Sequence, residues 1–179
     1  MNEIVQLNEL IRGKGFEILE VFLDWPTKEF STNDIRKKTH MSKATLAKWL
    51  KYLSKKGFLQ LKKIGATKLY KLERDNILAK HFKMLLNIAK LQVLRIPYKC
   101  EIFLYGSAAR GEDTEKSDFD LIVIADFNKK RIESEIQKYE DKLGRELKIQ
   151  IFSSAEWADM ERKDKAFYER VEKDKIKIK

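Results

Sequence analysis

The chain has 179 residues, 43% hydrophobic and 37% charged, which supplies enough apolar material for one medium domain or two small ones. Seven glycines, two prolines and no continuous apolar stretch of about 18 to 20 residues exclude collagen-like, low-complexity and membrane-spanning architectures. The single cysteine, Cys100, cannot form an internal disulfide, and the acidic start of the chain at Glu3 does not resemble a secretory signal, so a cytoplasmic protein is expected.

The formal net charge of +10 is concentrated in the first part of the chain. Residues 31–71 contain 12 basic residues and one acidic residue, Asp34, whereas residues 98–179 contain 18 basic and 19 acidic residues. A segment with this imbalance is typical of a surface that meets the phosphates of nucleic acid. Lysine that serves solubility or thermal stability is the alternative explanation.

The first predicted element is a helix over residues 16–23. Ile18, Leu19 and Phe22 form one apolar helical face there, and Pro26 ends the pattern. The apolar face predicts that this helix packs against whatever follows it.

Two short helices separated by a turn are predicted next. Ser31 offers an N-cap oxygen for a helix over residues 31–38, in which Ile35 points inwards, and residues 39–41 form the turn. Ser42 caps a third helix over residues 43–56. The apolar residues of that third helix follow the i, i+3, i+4, i+7 pattern: Leu46, Trp49, Leu50 and Leu53.

A β-hairpin follows, because residues 58–63 and 67–72 alternate in polarity around a turn at residues 64–66. Two helices, a turn and a hairpin in this order resemble a winged helix domain, which implies that the third helix enters the major groove of double-stranded DNA. A winged helix used for protein contact alone is the alternative. The candidate base contacts are Thr45, Lys48 and Tyr52, and the candidate phosphate contacts are Lys43, Lys51, Lys55, Lys62, Lys63 and Lys68.

A long amphipathic helix is predicted over residues 75–94. It divides the chain into an expected winged helix domain at 1–74, a linker helix at 75–97 and a second domain at 98–179. Its broad apolar surface also makes it a candidate contact in a homodimer, which a palindromic DNA site would require.

The second domain begins with a predicted strand over residues 101–105, followed directly by Gly106 and Ser107. A Gly-Ser pair that ends a strand and opens a helix lets backbone N–H groups approach a phosphate. Further on, Asp118 and Asp120 are spaced so that both carboxylates lie on one side of a strand. A divalent cation such as Mg²⁺ or Mn²⁺ would relieve their repulsion, and a solvated aspartate pair is the alternative.

Both motifs together are similar to the signature of the polymerase-β-type nucleotidyltransferase superfamily, in particular its minimal nucleotidyltransferases. The matching stretches read Tyr-Gly-Ser-Ala-Ala-Arg-Gly at 105–111 and Ser-Asp-Phe-Asp-Leu at 117–121. The resemblance implies that Gly106 and Ser107 bind a nucleoside triphosphate, that Arg110 supports the loop or the phosphates, and that the catalytic residues Asp118 and Asp120 hold Mg²⁺. It also implies an α/β (α+β) domain in which helices flank a mixed sheet.

The remaining predicted elements fit that family order. They are a helix over 129–143 with Gly144 as its C-cap, a strand over 146–152, a helix capped by Ser153, and a last helix over 167–171 before a basic tail.

The strand over 146–152 departs from the family pattern. Active members commonly have a third carboxylate on this strand, whereas this chain has Lys148 at that position and Gln150 next to it on the same face. Loss of a metal ligand or a catalytic base usually costs orders of magnitude in rate. The two aspartates still suffice for a complex of Mg²⁺ and a nucleoside triphosphate.

The sequence therefore favours a DNA-binding winged-helix regulator, antitoxin-like or transcriptional, with a domain that binds Mg²⁺ and a nucleotide and has weak or absent transfer activity. A toxin is a possible protein partner because minimal nucleotidyltransferases often act in toxin–antitoxin pairs. The alternative is an active enzyme that transfers a nucleoside monophosphate to a protein, RNA or small-molecule hydroxyl. A protein-interaction module and an antibiotic-modifying enzyme are further, weaker alternatives.

Overall fold

The structure, a computed structural model, describes residues 13–179 and contains two compact units. The first unit runs through Leu86, and the second runs from Asn87 to Lys179. This division falls inside one helix, between the expected domain boundaries at 74/75 and 97/98. The residues on which the signal-peptide expectation rests, Met1 to Ile4, lie outside the described residues.

The first unit consists of helices followed by a three-stranded antiparallel sheet with the strand order β1-β3-β2. The helices are α1 (Lys14–Asp24), α2 (Thr32–Thr39) and α3 (Lys43–Lys55), and the strands are β1 (Phe30–Ser31), β2 (Leu59–Ile64) and β3 (Thr67–Leu72). The three predicted helices and the hairpin are confirmed to within a few residues at their ends. The short strand β1 was not predicted.

Local hydrogen bonds explain where α2 and α3 begin and end. The hydroxyl of Ser31 accepts from the backbone N–H of Asp34, whose carboxylate accepts from the backbone N–H of Ser31, which is a complete capping box. Ser42 caps α3 without the reciprocal bond: its hydroxyl accepts from the backbone N–H of Thr45. His40 ends α2 in the left-handed conformation with φ 55°, and its backbone N–H donates to the carbonyl of Arg36.

The core of the first unit lies between the three helices and the sheet. Phe22, Ile35, Leu46 and Leu50 are fully buried there, as the periodicity predicted. Trp49 is only half-buried and lies against Gly15 of α1, where an added Cβ would come within 2.6 Å of the indole ring. The absence of a side chain at Gly15 therefore permits the close approach of α1 to α3.

The second unit is built on a four-stranded mixed sheet with the order β6-β5-β4-β7. Strands β5 and β6 are parallel, whereas β4 is antiparallel to both β5 and β7. Its strands are β4 (Glu101–Tyr105), β5 (Phe119–Ile124), β6 (Leu147–Phe152) and β7 (Ile176–Lys177). Its helices are the end of α4 (Ile77–Leu91), α5 (Lys129–Gln137), α6 (Glu140–Leu143), α7 (Ser154–Ala158), α8 (Met160–Lys163) and α9 (Lys165–Asp174).

Each face of this sheet carries its own apolar layer. On one face, Leu104 and Leu121 pack with Ile132 and Ile136 of α5. On the other face, the partners are Phe103, Tyr105, Ile122, Trp157 and Val171. The second layer shares its strand face with Asp120, because Asp120 and Ile122 are two residues apart on β5.

Two sequence expectations for the second unit are wrong, and a third segment contains a strand that was not predicted. Residues 129–143 form two helices, because the backbone N–H of Tyr139 bonds to the carbonyl of Ile136 in a tighter turn that interrupts α5. The residues after Ser107 form hydrogen-bonded turns instead of a helix. The expected basic tail forms the edge strand β7.

In the part of the chain that the structure describes, no helix is long and apolar enough to cross a bilayer.

Candidate functional site

The two aspartates lie where β5 begins. Asp120 is part of the strand, and Asp118 precedes the first strand residue, Phe119. Because β5 is central in the sheet, Asp120 has a register partner on each side: Tyr105 of β4 and Lys148 of β6. The fold thus brings residues from three separate parts of the chain to one end of one sheet face.

Lys148 forms an ion pair with Asp118. The ammonium contacts Asp118 Oδ2, and the side chains of Lys148 and Asp118 are 60% and 24% exposed. The hydrogen bond to Asp118, together with its negative charge, raises the pKa of Lys148. The lysine that replaces an expected carboxylate therefore lies against the aspartate pair.

Asp120 is partly buried beside Asp118. Burial raises its pKa, and the negative charge of Asp118 adds to the effect, whereas the positive charges of Lys148 and Arg170 oppose it. Burial is also the main reason for the raised pKa of Tyr105, with the charge of Asp120 as the next cause. The carboxylates of Asp118 and Asp120 therefore lie close enough to repel each other, and a cation would stabilise them together.

Gly106 is in direct contact with this site. Its φ of +74° lies in the left-handed region, and an added Cβ would come within 2.9 Å of Asp120 Oδ2. The turn is closed by hydrogen bonds from the N–H of Arg110 to the Gly106 carbonyl and from the N–H of Glu112 to the Ser107 carbonyl. Because no helix directly follows Ser107, no helix dipole contributes here, and the backbone N–H groups that a phosphate could approach are those of the turn itself.

Arg110 connects the turn to α9. Its guanidinium donates to Glu112 Oε2 at 2.8 Å and forms a second ion pair with Asp174, and these hydrogen bonds raise its pKa. Arg110 therefore supports the loop through carboxylates in this structure. A direct contact with phosphates stays a prediction.

A buried network that the sequence analysis did not assign holds the segment between the turn and β5. Arg145 donates to Asp113 Oδ2 at 2.8 Å and to the Ser117 carbonyl at 2.7 Å. The Arg145 and Asp113 side chains are only 9% and 0% exposed, and Asn87 donates to the other oxygen of Asp113 at 2.8 Å. Arg145 lies between Gly144, the predicted end of a helix, and the strand predicted over 146–152. An arginine in that short connection is the sequence signal that could have identified this structural residue.

Asp118 and Asp120 are the candidate metal ligands at this site. Among residues 13–179, no group of three or more His, Cys, Asp or Glu side chains is arranged to hold a metal ion. Mg²⁺ is commonly bound through one or two carboxylates and completes its shell with substrate phosphates and water. The pair therefore fits an ion that is shared with a triphosphate, and Asp118 and Asp120 would be its protein ligands.

The basic surface predicted in the first unit is exposed. The lysines at 43, 48, 51, 55, 62, 63 and 68 all face solvent, and the side chain of Tyr52 is 49% exposed. Several candidates have partners within the unit: Lys62 pairs with Glu29 at 3.4 Å, the Thr45 hydroxyl lies 3.0 Å from the Ser42 hydroxyl, and the ring of Tyr52 packs edge-to-face on that of Trp49. Contacts of these residues with DNA stay a prediction.

A comparison with known protein families adds independent evidence for the second unit. The family model described as "Nucleotidyltransferase domain" matches residues 85–178, more than half of the chain, so the chain belongs to the nucleotidyltransferase domain family. The matched region contains the Gly106 turn, both aspartates and Lys148. Searches of curated proteins and of solved structures gave no match.

Proposed function

We propose that this chain is a cytoplasmic, DNA-binding winged-helix regulator whose nucleotidyltransferase-type domain binds a complex of Mg²⁺ or Mn²⁺ with a nucleoside triphosphate. Transfer activity is weak or absent. The observation that carries the proposal is the Lys148–Asp118 ion pair, because it places an amine where an active enzyme would need a third carboxylate.

The first unit supports the DNA-binding part of this proposal. A helix that follows a second helix after a short turn, and that exposes lysines on its outer face, has the arrangement of a recognition helix. Lys62, Lys63 and Lys68 are exposed on the neighbouring hairpin, as lysines of a wing would be. Lysine contacts with phosphates would position the protein, while Tyr52 and Lys48 are candidates for contacts with base edges.

The second unit supports nucleotide binding. Asp118 and Asp120 would hold the metal ion, and the turn that starts at Gly106 would approach the phosphates. The bound ion would neutralise negative charge on the triphosphate. With Lys148 beside Asp118, no carboxylate is available at that position to deprotonate an attacking hydroxyl, which is the physical reason to expect little transfer.

Calorimetric titration of Mg·ATP, Mg·GTP, Mg·CTP and Mg·UTP tests the nucleotide part. The wild type is expected to bind at least one of them, and the Asp118→Asn, Asp120→Asn double variant is expected to lose that binding. Asp141→Asn is the matched control, because Asp141 is an exposed aspartate on α6 of the same unit. Absence of metal-dependent binding by the wild type would refute this part.

Fluorescence anisotropy with labelled double-stranded DNA tests the regulator part. The DNA that flanks the coding region of the chain is the first probe. Replacing Lys48, Lys51 and Lys55 by Gln is expected to weaken binding by more than tenfold, because each lysine releases counterions when it meets a phosphate. Equal binding by the wild type and this variant would remove α3 from the interface.

An active nucleotidyltransferase is the second candidate function. The observation that favours it is that Gly106 and both aspartates lie together in a domain of this family. Incubation with an NTP labelled at the α-phosphate would then give metal-dependent transfer to a protein, RNA or small-molecule hydroxyl. Transfer that survives the double aspartate substitution would exclude this site as its source.

A further inference from the structure

The Lys148–Asp118 ion pair changes the charge that the aspartate pair offers to a metal ion. Two carboxylates alone would present two negative charges, whereas Lys148 neutralises one of them. Its ammonium contacts Asp118 Oδ2, an oxygen that would otherwise be free to bind a metal ion. A free divalent cation must therefore displace a positive charge to reach Asp118, or bind beside it against Coulomb repulsion.

A triphosphate changes this balance. It brings several negative charges, and a lysine ammonium is a common phosphate partner. Lys148 is 60% exposed and lies on a long flexible stem, so it can leave Asp118 for a phosphate oxygen without rearrangement of the sheet. Arg170 of α9 is exposed and is a second positive charge that acts on Asp120.

We propose that Lys148 is a built-in counter-cation that makes this site reject the free metal ion and accept the metal ion together with a nucleoside triphosphate. Without a nucleotide, Lys148 pairs with Asp118. With the nucleotide, Lys148 pairs with the phosphates and leaves Asp118 to the metal ion. This inference rests on the proposed nucleotide binding and adds to it a residue that sets the order and selectivity of binding.

A matched control exists in the same unit. Lys138 pairs with Glu135 on α5, and the side-chain exposures of that pair, 61% and 29%, are close to the 60% and 24% of the Lys148 pair. Replacing Lys138 by Gln thus removes an equivalent surface ion pair away from the aspartates. Any effect that is general to loss of one lysine charge will appear in both variants.

The experiment measures binding of free Mn²⁺ by electron paramagnetic resonance and binding of Mn²⁺ complexes of the four α,β-methylene NTP analogues by calorimetry. Lys148→Gln is expected to bind free Mn²⁺ about tenfold more tightly than the wild type, because one positive charge beside the site is lost. The same variant is expected to bind the Mn²⁺–nucleotide complex about tenfold more weakly, because one phosphate partner is lost. Lys138→Gln is expected to change neither affinity.

The opposite directions of the two effects are the decisive result. Equal free Mn²⁺ affinity in the wild type and Lys148→Gln overturns the inference, and so does a change of both affinities in the same direction. Adding Asp118→Asn to Lys148→Gln should abolish the gain in Mn²⁺ affinity, and a gain that persists also overturns it. Failure of the proposed function has a different result: the wild type then binds none of the nucleotide complexes, whatever Lys148→Gln does to Mn²⁺.

Discussion

At the scale of single residues, the aspartate site depends on neighbours that perform no chemistry themselves. Gly106 leaves room for Asp120 Oδ2, and the buried pair of Arg145 and Asp113 fixes the segment that leads to Asp118. Lys148, by contrast, acts through its charge on Asp118. Substitutions at these positions should therefore affect different properties: affinity at Gly106, stability at Arg145, and metal selectivity at Lys148.

Gly106→Ala is expected to weaken binding of the metal–nucleotide complex by tenfold or more. The new Cβ would lie 2.9 Å from Asp120 Oδ2, so the carboxylate must move. Gly144→Ala is the control, because its φ of +63° imposes similar backbone strain, of about 1 kcal/mol or more, with no atom near the new Cβ. Calorimetry on both variants measures the difference, and equal affinities would show that contact with Asp120 is unimportant.

Arg145→Leu is expected to destabilise the second unit by about 3 to 5 kcal/mol, because it leaves the fully buried carboxylate of Asp113 without its guanidinium. Hydrogen exchange of the slowest amides in β4, β5 and β6 measures this free energy of unfolding. Arg162→Leu removes an arginine that is 84% exposed and should change stability by less than about 0.5 kcal/mol. Similar effects of the two substitutions would contradict a structural role for the buried pair.

At the scale of elements, capping side chains define where the helices begin. The complete capping boxes at Ser31 and Ser153 both pair a serine with an acid three residues later, Asp34 and Glu156. The hydrogen bonds from Ser31 lower the pKa of Asp34, and the ion pair with Lys129 and the Ser153 cap lower the pKa of Glu156 to about 2. These acids therefore stay ionised, and keep accepting from the helix starts, well into the acidic range.

Ser31→Ala is expected to destabilise the first unit by about 1 kcal/mol, the usual cost of a lost N-cap. The part of this advantage that comes from the bond between the Ser31 hydroxyl and the ionised Asp34 carboxylate should be complete above the ordinary aspartate pKa of 3.8, and it should be lost as the pH falls through the lower pKa of Asp34 in the folded state. Hydrogen exchange of the α2 and α3 amides at a series of pH values measures it. Asn33→Ala, at an exposed position of the same helix, should show no such loss, and an advantage that grows on acidification would be inconsistent with the capping box.

At the scale of the whole molecule, the excess of exposed lysines and the pair of aspartates belong to different units. The exposed lysines of α3 and the hairpin lie in the first unit, and the family match with its aspartates covers the second. Because nucleic-acid affinity depends on counterion release, the first unit should dominate the salt dependence of DNA binding.

Lys51→Gln is expected to reduce the magnitude of the slope of log K against log salt concentration by about 1, with weaker binding at every salt concentration. Anisotropy titrations at four or more salt concentrations give this slope. Lys130→Gln, an exposed lysine of α5 in the second unit, should leave it unchanged. Equal slopes for Lys51→Gln, Lys130→Gln and the wild type would argue against α3 as the DNA surface.

The sequence by itself determined the features that depend on near neighbours. The caps at Ser31, Ser42 and Ser153, the hairpin and the strand Glu101–Tyr105 follow from spacings of a few residues. The family pattern also identified Lys148 as the residue where an acid is expected.

Tertiary structure decided what distant residues do to each other. Only the parallel pairing of β5 with β6 brings Lys148 to the aspartates, and only folding buries Arg145 with Asp113. The strands β1 and β7 have two residues each, too short for a periodic pattern, and they exist because sheet edges accept their backbone hydrogen bonds. The turn after Gly106 was wrongly expected to be a helix, and the closeness of Gly106 to Asp120 arises only when β4 and β5 are paired.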